Sequence, residues 1–171
     1  FAGDAINHTD ANGTVAIGYQ AGTAITSGEG NTYIGYQAGY GFETNHQQTA
    51  VGYQALYRSN IASHGNTYGA NTAIGHKAGY AGGANTGFGG NVYAGATAGY
   101  NHVGGYSTMV GFGSGYYAAS GSENVCIGFS AGKMSHNTDF SDTHPISKTV
   151  YVGAYAGEYA DTQFNVAVGY A

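Results

Sequence analysis

The chain has no tryptophan, one proline, one cysteine and only four lysine and arginine residues among its 171. Each shortage removes a class of protein. With Cys126 alone, no intrachain disulfide can form, and cysteine usage leaves the redox compartment open. Four cations cannot build the clustered positive surface that phosphate binding requires, so no nucleic-acid partner is expected. No run of about 18 apolar residues occurs, so no membrane insertion by a helix is expected. The opening FAGDAINHTD lacks the basic and apolar regions of a signal peptide. Charged residues make up 8% and hydrophobic residues 42%, which argues against a disordered tail. Glycine is abundant, at 32 residues, but without an every-third period or the proline of collagen.

What is present is one phrase repeated nine times: TVAIGYQAG (14–22), NTYIGYQAG (31–39), QTAVGYQAL (48–56), NTAIGHKAG (71–79), NVYAGATAG (91–99), STMVGFGSG (107–115), NVCIGFSAG (124–132), TVYVGAYAG (149–157) and NVAVGYA (165–171). The central glycines are Gly18, Gly35, Gly52, Gly75, Gly95, Gly111, Gly128, Gly153 and Gly169, spaced 16 to 25 residues apart. A repeat this short is one coil of a solenoid, because it cannot bury its own apolar face without neighbours. The fold class expected is all-β: a parallel β-roll or β-solenoid of about nine short coils. The whole of 1–171 reads as a single repeat-built segment. Phe1-Ala2-Gly3 resembles the close of a missing repeat, and the chain stops inside another at Gly169-Tyr170-Ala171. It therefore reads as a window of a longer fibrous protein.

Positions are counted from the central glycine. Position −1 is always apolar and position −3 is always Val or Thr, as in Thr72 and Ile74. Residues two apart on a strand share a face. The regularity of these two columns predicts that they point into the core. Position −2 lies on the opposite face and carries no charge in any copy: Ala16, Tyr33, Ala50, Ala73, Tyr93, Met109, Cys126, Tyr151 and Ala167. A solvated strand face would normally be polar. This face is therefore expected to be covered by another copy of the chain, or alternatively by variable segments of the same chain. Position −4 is always polar, the chemistry of turn entry. A second short strand or extended corner is expected after the glycine. The longest connecting segments, 57–70 and 133–148, read as loops.

The string N-[TV]-[AY]-[IV]-G resembles the coils of YadA-type heads in trimeric autotransporter adhesins. GYQAG is similar to the repeats of bacteriophage tail fibres. The resemblance covers nearly the whole chain. It implies a left-handed roll, three chains around one axis in a homotrimeric fibre, and attachment to host surfaces. Localisation would be extracellular or on a virion surface, and the partners would be self and a cell-surface glycan or protein receptor.

Candidate ligand-binding residues follow from chemistry and position. Tyr recurs at +5, in Tyr40, Tyr57, Tyr80, Tyr100 and Tyr116, which predicts a vertical rib of aromatic faces for sugars or a cover for the core edge. The two long loops hold the most varied side chains. Tyr57, Arg58 and His64 lie in one, and His136, Asp139, Phe140, Asp142 and His144 in the other. The second cluster has metal-ligand residue types but no established metal spacing, so no metal or other cofactor is assigned. His46, His64 and His102 share no column and read as loop residues. The nine acids are scattered and no nucleophile elbow occurs, so no enzyme is expected.

Three functions remain. The first is a fibrous adhesin or receptor-binding segment acting through its loops. The second is a self-assembling filament or spacer with no ligand. The third is an ice-binding solenoid, which needs a flat outward array of Thr.

Overall fold

The computed structural model describes residues 1–3, 12–41, 43–57, 69–80, 89–102, 104–118, 121–133, 147–160 and 163–170. Its regular structure is nine three-residue strands: β1 (Val15–Ile17), β2 (Thr32–Ile34), β3 (Thr49–Val51), β4 (Thr72–Ile74), β5 (Val92–Ala94), β6 (Thr108–Val110), β7 (Val125–Ile127), β8 (Val150–Val152) and β9 (Val166–Val168). They form one parallel sheet in chain order, each strand paired with the next. Register follows the repeat, with Ile17 opposite Ile34 and Ile34 opposite Val51. The chain is all-β among the described residues and winds as a β-solenoid.

After each strand the chain turns; no second strand forms among the described residues, contrary to the expected one. The turn is built from left-handed residues. The central glycine has φ between +125° and +136° in every copy. A Cβ on Gly52 would sit 2.4 Å from the carbonyl oxygen of Gly75 in the next coil, so only glycine lets the coils stack this closely. Positions −5 and +2 are also left-handed, and there the residue is often not glycine, as in Gln20, Gln37, Gln54 and Lys77. A left-handed conformation costs an ordinary residue roughly 1–2 kcal/mol. Contacts between coils offset that cost. Gln37 Nε2 donates to Gln20 Oε1, and Gln54 Nε2 to Gln37 Oε1, each at 2.8 Å.

The core reverses the expected facing of the strands. Position −2 points inward: Tyr33, Ala50, Ala73, Met109 and Cys126 have no exposed surface, and Tyr93 and Tyr151 have almost none. The Ala column at +3 (Ala21, Ala38, Ala55, Ala78, Ala98, Ala131, Ala156) packs against it. Positions −3 and −1 point outward, and Ile74 is 49% exposed in the middle of the sheet. The reason is the narrowness of the coil. A three-residue strand offers one central side chain to a thin interior and two flanking ones to the outside. Tyr33, Tyr93, Met109, Cys126 and Tyr151 therefore fill the chain's own core and are not contacts between chains.

Inner volume is conserved by exchange. Gly39 at +4 leaves room for the ring of Tyr33, which a Cβ would approach within 2.3 Å. In the next coil −2 shrinks to Ala50, and +4 becomes the buried Leu56, which fills the freed space. Leu56 is thus the compensation for the small neighbours Ala50 and Ala73.

One polar column also lies inside. Asn31, Gln48, Asn71, Asn91, Ser107, Asn124 and Thr149, all at −4, are buried. Their side chains bond the following coil instead of only their own turn. Asn31 Oδ1 accepts from Gln48 N at 2.9 Å, Asn71 Oδ1 from Asn91 N at 3.0 Å, and Asn91 Oδ1 from Ser107 N at 2.9 Å. Buried backbone donors need such partners, since an orphaned one costs roughly 1–3 kcal/mol.

Candidate functional site

With the core assigned, the outside of the sheet becomes the feature that calls for a function. Val or Thr at −3 and Ile, Val or Ala at −1 run side by side over nine strands. Ile74, Val92 and Ile127, all away from the ends of the sheet, are among its exposed large apolar residues. Beside them, at +1, stands an exposed aromatic row that the sequence reading did not single out. Tyr19, Tyr36, Tyr53 and His76 stack with centroid separations of 5.3, 5.1 and 5.2 Å. After a gap at Ala96, Phe112 and Phe129 stack at 5.5 Å. The signal was present in the sequence as the residue after each central glycine, in GYQ and GF.

The row at +5 forms as expected, and its geometry changes what it can offer. Tyr40, Tyr57, Tyr80, Tyr100 and Tyr116 stack at 5.1, 5.1, 4.9 and 4.8 Å, with ring planes 6–16° apart. The rings are half-buried. Within such a column each ring covers its neighbour's face. The expected rib of open faces is therefore reduced to ring edges and hydroxyls, except where the column ends. Partial burial, with neighbouring phenols adding to it, raises the pKa of Tyr100 and Tyr116. Lys77 Nζ lies 5.0 Å from the centroid of Tyr80, a cation–π contact that further occupies the column.

Of the loop candidates, Tyr57 belongs to this column. Arg58, His64, His136, Asp139, Phe140, Asp142 and His144 lie outside the described residues. Among the described residues no group of three or more His, Cys, Asp or Glu could hold a metal ion.

His102 is not a surface loop residue. It is 3% exposed and closes over the core. Its Nε2 lies 2.7 Å from the carbonyl of Gly121, an acceptor only, so Nε2 carries the proton. Nδ1 then accepts from the Tyr93 hydroxyl at 2.7 Å. Burial holds the imidazole neutral and pushes its pKa down to about 4, against a smaller opposing pull from the Gly121 hydrogen bond. His46 is half-buried, and its Nδ1 accepts from the backbone N–H of Glu29 at 3.2 Å. Cys126 is sealed in the core, and burial pushes its thiol up to about 12. That is the environment of an inert structural thiol.

Compared with family models, curated proteins and solved structures, the chain matches none of them.

Proposed function

We propose that this chain is a segment of a fibrous attachment protein, a phage tail fibre or bacterial surface adhesin, assembled from three copies. It acts outside the cell or on a virion surface and binds a host-surface glycan or protein. The outward face of the sheet carries this reading. A nine-strand array of mostly Val, Ile, Thr and aromatic residues, with no Asp, Glu, Lys or Arg at −3, −1 or +1, is a surface that water tolerates poorly. A closed symmetric homo-oligomer covers it with identical faces. The YadA-like and tail-fibre-like repeats supply the trimer and the attachment role. In this reading the apolar face packs toward the axis. The +5 tyrosine column and the loops after it are left for the receptor, and three copies multiply weak contacts into avidity.

The test has two parts. Native mass spectrometry of the 171-residue chain at micromolar concentration should give a trimer. The fragment should also decorate host cells. A monomer that binds no surface sinks the reading.

A second reading has its own support. Unbroken ladders of Gln20, Gln37 and Gln54 and of five stacked tyrosines tie successive coils, as a stiff spacer requires. A trimer that binds no cell surface or glycan would favour it. An ice-binding face needs an unbroken outward rank of Thr. Position −3 does face outward, so its Thr residues are not core residues, but Val92, Val125 and Val150 interrupt the rank. Absence of thermal hysteresis would close that reading.

A further inference from the structure

The tyrosine column at +5 stops at Tyr116. The next coil places Lys133 at the same position, where a sixth ring would otherwise stand. Stacking order breaks there. Tyr117 meets Tyr116 at 4.6 Å with its plane turned by 75°. An open cleft of about 510 Å³ lies at the break, lined among others by Phe112, Tyr116, Tyr117, Ser130, Lys133 and Tyr159. This volume is within the range of small-molecule sites.

The cation of this cleft is Lys133. Of the three described lysines, Lys77 lies over Tyr80 and Lys148 lies over Phe164. Lys133 has neither a ring beneath its ammonium nor a carboxylate beside it among the described residues. In a chain with only four cationic side chains, a lysine that shares a cleft with four aromatic residues marks a place for an anion. The opposite end of the column provides a contrast. There Thr23 precedes Tyr40, and a groove of about 570 Å³ is lined by Tyr40, Tyr57, Tyr80 and Glu43, with no lysine. Among the described lining residues the two ends share tyrosines, and the charged one is Glu43 in the first groove and Lys133 in the second.

We propose that the cleft at the Tyr116 end binds a saccharide unit bearing a carboxylate, of the hexuronic acid class. The sugar ring packs on the aromatic walls, its hydroxyls meet Ser130 and the phenols, and its carboxylate pairs with Lys133 Nζ. This rests on the attachment reading, for which it names the ligand class. Aromatic surface supplies contact without sequence-like readout, and the ammonium selects acidic over neutral sugars.

The test titrates the full chain with tri-galacturonate and, separately, with neutral galactotriose, followed by NMR and calorimetry. Saturable binding of the acidic trimer is expected, at least about tenfold tighter than the neutral one and weaker at high salt. Lys133→Gln should weaken it about tenfold, and Lys133→Arg should retain it. Tyr159→Asn should also weaken it, and Asn accepts the left-handed φ of +61° found there. Glu43→Gln, at the other end of the column, should change nothing. Equal affinity for both sugars, no saturation by the acidic one, or an unaffected Lys133→Gln protein would overturn the proposal. Failure of this inference is separable from failure of the attachment reading. A trimer that binds cells but no uronate refutes only the cleft assignment. A monomer that binds uronate but no cell surface refutes only the attachment reading.

Discussion

The two faces of each strand differ in a way that reverses a common intuition. The outward columns are nearly constant, Val or Thr at −3 and mostly Ile or Val at −1. The inward column runs from Ala50 to Tyr93 to Met109. Constancy is usually taken as the mark of a core. Here the interior tolerates variety, because a change at −2 is absorbed within the stack, as Leu56 absorbs Ala50 and Ala73. The outer face has no such freedom if it must meet identical copies of itself. A flat, repeated surface then demands a repeated residue.

The largest way to break this stack is at the point both faces share. Gly52→Ala would press a methyl within 2.4 Å of the Gly75 carbonyl and force φ +134° on a residue with a Cβ. Neither coil can yield without breaking the ladder. We expect a loss exceeding about 4 kcal/mol, seen as failure to recover folded protein. A folded mutant with an unchanged melting temperature would show that the coils stack less tightly.

Acid should strike the interior next. His102 has a folded pKa of about 4, below its ordinary value of 6.5, so between these values the unfolded chain binds the extra proton. Its contribution is complete above pH 6.5 and is lost as pH falls toward 4. The integrated loss is on the order of 3 kcal/mol. Denaturant melts at pH 7, 5.5 and 4 should show the decline, and His102→Gln should flatten it. An equally steep decline in His102→Gln would assign it to other groups.

The inner polar column should respond less. Asn91→Ala removes the acceptor for Ser107 N and the donors to Asn71 Oδ1 and the Gly104 carbonyl. A cost of about 2 kcal/mol is expected from buried groups left unpaired. It would appear as a lower urea midpoint with an unchanged slope. A neutral result would mean that water serves those groups.

Smallest is the outer rib. Tyr80→Leu loses stacking on Tyr57 and Tyr100 but keeps most apolar contact, for about 1 kcal/mol. A loss several times larger would make the column a core element.

The repeat, the parallel stacking, the register and the +5 column were legible from spacing alone, because a solenoid brings equal positions together. The facing of the strand was not. Period-two alternation tells that −2 opposes −1 and −3, yet both sides were apolar, and nothing in Ala73 or Ile74 says which side is inside. The corners were half legible. Glycine marked positions 0 and +4, while −5 and +2 hide left-handed backbone under Gln, Lys, Tyr and Phe. His102 was misread because a lone histidine in no column looks like a loop residue. Its partners, Tyr93 and the Gly121 carbonyl, are 9 and 19 residues away.

The most direct test of the reversed strand is a pair of neighbouring substitutions, Ala73→Asp and Ile74→Asp, compared by circular dichroism melting and native mass. Ala73 is fully buried and Ile74 is 49% exposed. Ala73→Asp should abolish folding, because it places an unpaired charge in the core at a cost of several kcal/mol. Ile74→Asp should keep the fold and disrupt assembly. A folded Ala73→Asp protein beside an unfolded Ile74→Asp one would contradict the account.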